Sequence, residues 1–181
     1  FSTPENRLGT GVTPMAIDQN GDTLSYSIVG GADGDEFELD GTTGELKFKV
    51  APNFEANGSA NSDNDYIVQI QADDGNGGTA TQTFTISVTD ANDPPVFTSS
   101  ASHSVQENQS DTGYTPVAVH PQGLSFTFSL GGGADADKFE LVGGVLRFKD
   151  DHVPDYENPT DSDGNRVYDV QIRATDDGGL T

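Results

Sequence analysis

The chain repeats itself. Glu5 and Glu107, Phe37 and Phe139, and Glu55 and Glu157 each stand 102 residues apart. They lie in matching triplets: Pro4-Glu5-Asn6 with Gln106-Glu107-Asn108, Phe37-Glu38-Leu39 with Phe139-Glu140-Leu141, and Asn53-Phe54-Glu55 with Asp155-Tyr156-Glu157. Leu46-Lys47-Phe48-Lys49 matches Leu146-Arg147-Phe148-Lys149 at an offset of 100, and Tyr66 to Ala72 tracks Tyr168 to Ala174. A 181-residue chain with this period reads as two copies of one small domain, residues 1–93 and 94–181, joined at Asp90-Ala91-Asn92-Asp93-Pro94-Pro95.

Each copy reads as strands. Leu24-Ser25-Tyr26-Ser27-Ile28 alternates with period two, as do Leu124, Phe126, Phe128 and Leu130, and Phe84, Ile86 and Val88 in a threonine-rich run. That pattern turns one apolar face inward and one hydroxyl-bearing face to water. Helical periodicity is not apparent. Asn20-Gly21-Asp22, Gly30-Gly31, Asp40-Gly41, Asp74-Gly75 and Gly143-Gly144 punctuate the runs as turns. About seven short strands per hundred residues predict an all-β chain of two tandem seven-stranded Greek-key β-sandwich domains. Nothing in the first copy matches Val96 to Ser102, and nothing in the second matches the Phe84, Ile86, Val88 strand. Each copy therefore reads as lacking one terminal strand, through truncation or because a partner strand supplies the edge.

The charge balance narrows function. Thirty Asp and Glu face eight Lys and Arg, a formal charge of −22. Nucleic acid is not an expected partner, because phosphate binding needs a basic cluster. No cysteine is present, so disulfides and thiolate metal sites are excluded. No apolar run reaches the roughly 18 residues of a membrane-spanning helix, so direct membrane insertion is not expected. The chain opens on Phe1 with neither a start methionine nor a signal peptide, and reads as a piece of a longer polypeptide. Phosphate-loop, activated-serine and HExxH motifs are absent, so no enzyme is expected.

At Asp90-Ala91-Asn92-Asp93 two carboxylates and an amide crowd together, and like charges about 4 Å apart repel by roughly 1 kcal/mol in water. Together with Pro4-Glu5-Asn6, Ala16-Ile17-Asp18-Gln19-Asn20, Leu39-Asp40-Gly41-Thr42-Thr43-Gly44-Glu45-Leu46, Asn53-Phe54-Glu55 and Ala72-Asp73-Asp74, this segment resembles the ordered signature segments of cadherin repeats. The resemblance covers essentially the whole chain. The Asn/Asp-rich, Gly-rich style, as in Asp161-Ser162-Asp163-Gly164-Asn165, resembles bacterial cadherin-like repeats of large surface or secreted proteins.

The resemblance implies calcium at the joint between domains. Carried over position by position, the ligands are Glu5 and Glu55, then Asp90, Asn92 and Asp93 with the Ala91 carbonyl, and Asp176 from the second copy. Two half-sites follow, Asp18, Asn20, Asp22 and Asp74 facing upstream, and Glu107, Asp155 and Glu157 facing downstream. Where the first copy has Asp18, Asn20 and Asp22, the second has Ala118-Val119-His120-Pro121-Gln122-Gly123, so fewer than the family's three ions are expected at the central joint. The implied role is a calcium-rigidified extracellular or cell-surface adhesion or stalk module. Its partners are neighbouring domains of the same chain, homophilic contacts or cell-surface carbohydrate. The alternative is a carbohydrate-binding module of a secreted polysaccharide-degrading protein.

Other residues read more plainly. Asp33, Asp35, Asp63, Asp65, Asp135 and Asp137 read as solvated turn residues. His103, His120 and His152 read as exposed loop histidines, with no zinc-ligand spacing. Phe37, Phe48, Phe54, Tyr66 and Phe84, with Phe139, Phe148, Tyr156 and Tyr168, recur as core. Tyr114 and Phe97 lack repeat partners, and Tyr114 is the candidate for stacking on a sugar.

Overall fold

The computed structural model describes residues 1–40 and 43–181. Gly41 and Thr42, part of the expected Asp40-Gly41 turn, lie outside the described residues. The chain divides into two compact units, Phe1–Ala91 and Asn92–Thr181. Among the described residues the regular structure is strand, with three single-turn 3₁₀ segments at Gly34–Glu36, Ala136–Lys138 and Asp150–His152. No helix is long and apolar enough to cross a membrane.

Unit one packs two sheets face to face around one core. One sheet has the order β1 (Ser2–Pro4), β7 (Thr79–Thr89), β6 (Asp65–Asp73), β3 (Ser25–Gly30). The other has the order β2 (Gly9–Val12), β5 (Leu46–Phe48), β4 (Phe37–Leu39). The period-two pattern appears directly in burial. Tyr66, Val68 and Ile70 of β6 and Phe84, Ile86 and Val88 of β7 are all buried, while their neighbours in sequence face out. They pack against Val12, Phe37, Leu46 and Phe48 from the facing sheet. Phe37 and Phe48 sit opposite each other in register with ring centroids 4.5 Å apart, and Tyr66 meets Phe48 edge-on at 5.0 Å. Edge-to-face rings of this kind add to the burial of their area.

Unit two rebuilds that centre from the repeated residues. β12 (Phe139–Val142) and β13 (Val145–Phe148) pair with Phe139 opposite Phe148, and β9 (Asp111–Tyr114) flanks β13. The rings of Phe139 and Phe148 are 4.4 Å apart, and Tyr168 meets Phe148 edge-on at 4.9 Å. β11 (Phe126–Gly132) pairs with β14 (Gln171–Asp176), and β8 (Val96–Phe97) pairs with β10 (Ala118–Val119). Leu124 precedes the strand expected to contain it and is largely exposed.

Several expectations require correction. Asp33 and Asp135 are not solvated, for both are almost fully buried. Asp33 Oδ1 accepts from the Ala60 N–H at 2.6 Å and Oδ2 from the Ile67 N–H at 2.8 Å. Asp135 Oδ1 accepts from the Ser162 N–H at 2.7 Å and Lys138 Nζ at 3.0 Å, and Oδ2 from the Asp169 N–H at 2.9 Å. Asp33 ties a loop to β6, and Asp135 ties the matching loop to Asp169, the counterpart of Ile67. The tight approach needs glycine two residues earlier: Gly31 and Gly133 have φ of 103° and 108°, and a Cβ there would run into the backbone of Ile67–Val68 or Asp169–Val170.

Tyr156 is not core. It is 61% exposed, with the Arg166 guanidinium 4.5 Å from its ring centroid. Tyr114 offers no free platform, because its hydroxyl donates to the Ser100 carbonyl at 2.8 Å and its side chain packs against the unit-two core. His120 is buried rather than exposed.

Burial opposes ionisation of Asp135. The hydrogen bonds from the Asp169 N–H, Lys138 and the Ser162 N–H outweigh it and hold the carboxyl below its ordinary value. Its stabilisation is therefore complete above the unfolded-state value near pH 4 and is lost as pH falls below it. Asp135→Asn, which sets an amide N–H against these donors, is expected to destabilise unit two by about 2 kcal/mol at neutral pH. It should also flatten the acid limb of the unit-two unfolding profile, followed by hydrogen exchange.

Candidate metal centre

Three places gather the carboxylates, and backbone geometry makes each of them. In unit one the Asp18–Asp22 loop turns through Gly21 at φ 82°. Asp18 Oδ1 accepts from the Asn20 N–H at 2.7 Å and the Asp22 N–H at 3.0 Å. The turn between β6 and β7 brings up Asp74, whose Oδ1 accepts from the N–H groups of Asn76 at 2.7 Å and Gly78 at 2.9 Å. Asp18, Asp22 and Asp74, from loops more than fifty residues apart, each offer an oxygen within 4.8 Å of the others. The Asp22 N–H holds the Asp18 carboxyl below its ordinary value, helped by Asn20 and Gly21 and opposed by partial burial. Asn76, whose Nδ2 donates to Asp22 Oδ2 at 3.1 Å, is a contributor with no repeat counterpart to reveal it.

The second place is the base of unit one. Glu5 is 1% exposed, yet its oxygens accept from the Phe54 N–H at 2.8 Å and the Ala91 N–H at 2.9 Å. Glu55 brings an oxygen within 4.8 Å of a Glu5 oxygen. Asp90 follows β7 on the surface. Asn92 and Asp93 open unit two: Asn92 Nδ2 donates to Asp176 Oδ2 at 2.7 Å, and Asp93 exchanges hydrogen bonds with the Gln122 amide at 3.3 and 3.2 Å.

The third lies in unit two. Glu107 Oε2 accepts from the Tyr156 N–H at 2.9 Å, repeating the bond from the Phe54 N–H to Glu5. Asp155 Oδ1 accepts from the Glu157 N–H at 2.9 Å and the Asn158 N–H at 3.0 Å. The Asn158 N–H and amide hold the Asp155 carboxyl below its ordinary value. Glu107, Asp155 and Glu157 each offer an oxygen within 4.8 Å of the others. Among the described residues no Lys, Arg or His forms an ion pair with Asp18, Asp22, Asp74, Glu107, Asp155 or Glu157.

The two units differ at one corner. Where unit one has Asp18, Asn20 and Asp74, unit two has His120, Gln122 and Asp176. His120 Nε2 lies 3.3 Å from Asp176 Oδ2, and both side chains are buried. Burial opposes ionisation of Asp176, but the Asn92 amide, the Leu180 N–H, His120 and the Gly178 N–H prevail and keep its carboxyl below the ordinary value. Protein donors thus surround Asp176. Among the described residues it joins no group of three metal-ligating side chains.

All the gathered donors are oxygens, which suits a hard divalent cation. Three carboxylates supply three to six of the six to eight oxygens that calcium takes.

Comparison with known proteins agrees on the fold. Residues 1–87 match the family model of the bacterial Ig domain. No curated protein matches the sequence. Human protocadherin-24 EC1-2 (form II) is similar over 100% of this chain and 84% of its own, with a TM-score of 0.51 and 22% identity. Drosophila N-cadherin EC1-4 is similar over 98% of this chain and 43% of its own, with a TM-score of 0.52 and 15% identity. At these identities the likeness is one of fold. The chain shares its fold with cadherin ectodomains, and its residues 1–87 match the bacterial Ig domain.

Proposed function

We propose that this chain is a calcium-binding, non-enzymatic stalk or adhesion module of a larger extracellular protein, stiffened by the ions it holds. The observation that carries this reading is the pair of carboxylate groups, Asp18, Asp22 and Asp74 in unit one and Glu107, Asp155 and Glu157 in unit two. Each draws on loops far apart in sequence, and each is left without a basic side chain in ion-pair range among the described residues. Three like charges within 4.8 Å repel by on the order of 1 kcal/mol per pair even in bulk water. A divalent cation turns that cost into attraction.

At the base of unit one the ligands are Glu5, Glu55, Asp90 and the Ala91 carbonyl, with Asn92 and Asp93 following in the same stretch of chain. Unit two offers a poorer ligand set at its matching corner, because His120 and Gln122 stand where unit one has Asp18 and Asn20, and Asp176 already has protein donors. The partners are neighbouring domains of the same polypeptide and copies of the module on a facing surface. A carbohydrate-binding role has one observation in its favour, the exposed Tyr156 ring beneath Arg166. Retention on insoluble polysaccharide that is lost in Tyr156→Ala would move the assignment to that reading.

Calcium at about 10 mM, ten to a hundred times the dissociation constant usual for extracellular modules, is expected to stabilise a unit by about 1.4–2.7 kcal/mol per site. That corresponds to a rise of roughly 5–15 °C in the unfolding midpoint of a domain this size. Asp18→Asn with Asp22→Asn should reduce the rise in unit one, where the Glu5 and Glu55 ligands remain, and leave unit two unchanged, whereas Glu107→Gln with Glu157→Gln should reduce the rise in unit two alone. An unchanged midpoint in the parent chain would sink the reading. Small-angle scattering should show a narrower distribution of interatomic distances with calcium than with chelator, and identical profiles would remove the stiffening role.

A further inference from the structure

The loop before Tyr66 in unit one and the loop before Tyr168 in unit two share one backbone but carry different chemistry. Ser62 and Gly164 have φ of 58° and 73°, and Asn64 and Arg166 have φ of 63° and 69°. Ala60 and Ser162 each donate an N–H to the buried aspartate of their own unit, Asp33 at 2.6 Å and Asp135 at 2.7 Å. On this common frame three positions differ: Ser59, Asn61 and Asp63 in unit one, and Asp161, Asp163 and Asn165 in unit two.

A hydroxyl sits at the centre of the unit-one loop. Ser59 is buried, and its Oγ accepts from the N–H groups of Asp63 at 3.1 Å and Asn64 at 3.0 Å. Its own proton is directed at Asn61 Oδ1, 3.4 Å away, or Asp63 Oδ1, 3.3 Å away. Donors and acceptors therefore balance around a single carboxylate. Unit two puts a second carboxylate where that hydroxyl was. Asp161 is 7% exposed, and its Oδ2 accepts from the Asn165 N–H at 2.6 Å. The same N–H reaches Asp163 Oδ1 at 3.1 Å, so both carboxylates converge on one donor. Asp161 Oδ1 is buried and has no hydrogen-bond partner among the described residues. Nor does any Lys, Arg or His among them form an ion pair with Asp161 or Asp163. A hydroxyl brings a proton to its neighbours, whereas an ionised carboxylate brings none. Replacing Ser59 by its counterpart thus leaves a charged oxygen out of water, and buried charges are paired or coordinate metals.

We propose that the Asp161–Asn165 loop is a separate cation site of unit two, in which calcium takes the place of the Ser59 proton, bound by Asp161 Oδ1 and the Asp163 carboxylate. The ligand atoms are oxygens, which select a hard cation. Asp163, Gly164 and Asn165 are exposed, so water completes the coordination from the solvent side. Asp161 and Asp163 belong to none of the three-carboxylate groups, and the site does not rest on calcium at those groups. The ligands come from five consecutive residues, and unit one, with its hydroxyl, has no such site.

The test is an amide-resolved NMR titration of the 181-residue chain with calcium chloride, against sodium chloride at matched ionic strength. The N–H signals of Ser162, Asn165 and Val167 should shift saturably, with a midpoint of about 0.1–1 mM. Asp161→Ser, which installs the unit-one residue, should abolish these shifts while Tyr156 and Asn158, beside the Glu107 group, still respond. Glu107→Gln with Glu157→Gln should do the reverse, so that failure of this site and failure of that group are read separately. Asp163→Asn, on the exposed side, should raise the calcium midpoint at Asn165 at least tenfold. In chelator, Asp161→Ser should unfold unit two at a temperature higher by roughly 5 °C, because it returns the missing proton. An Asn165 signal that moves no further in calcium than in sodium overturns the proposal. So does a calcium response that survives unchanged in Asp161→Ser or Asp163→Asn.

Discussion

Like charges brought together on purpose are the problem this fold has to manage. Backbone N–H groups hold Asp18 and Asp155 ionised, and the turns that carry them set Asp22, Asp74, Glu107 and Glu157 alongside. Neutral N–H donors fix the direction of a carboxylate but leave its charge in place. Folding therefore works against mutual repulsion, and on the proposed reading a bound cation offsets it. His120 and Asp176 show the other solution. There an imidazole and an amide from the protein occupy the carboxylate, and no third acid is gathered.

The sandwich supplies the stiffness that lets such loops keep their positions. Phe37, Phe48 and Tyr66 in unit one, and Phe139, Phe148 and Tyr168 in unit two, form the same three-ring arrangement to within 0.1 Å in each centroid distance. Asp33 then ties a loop to β6 beside those rings, and Asp135 ties the matching loop to Asp169, next to Tyr168. The rest of each core follows from strand pairing. Among the described residues the unit-one cluster holds ten buried apolar residues, its rings included, whereas the unit-two cluster holds three, and Tyr168, Val170 and Ile172 only pack partly buried against it.

Much of this was legible in the residues. The 102-residue offset and the period-two runs point to paired strands, and the acidic motifs point to the loops that gather oxygens. Less visible were the residues whose role depends on partners remote in sequence. Asp33 and Asp135 look like any turn aspartate, although their recurrence at the repeat offset was a usable sign that something more than solubility held them. His120 reads as an exposed loop residue because nothing in its neighbourhood of sequence shows that Asp176 lies against it. Tyr156 shares a repeat position with the half-buried Phe54, yet its environment differs: Arg166 lies over its ring where unit one has Asn64.

The most direct measurement is the anomalous difference density of a crystal grown in abundant calcium. The account predicts ions about 2.3–2.6 Å from oxygens of Asp18, Asp22 and Asp74, and of Glu107, Asp155 and Glu157. Well-resolved density showing water alone among those side chains would contradict it.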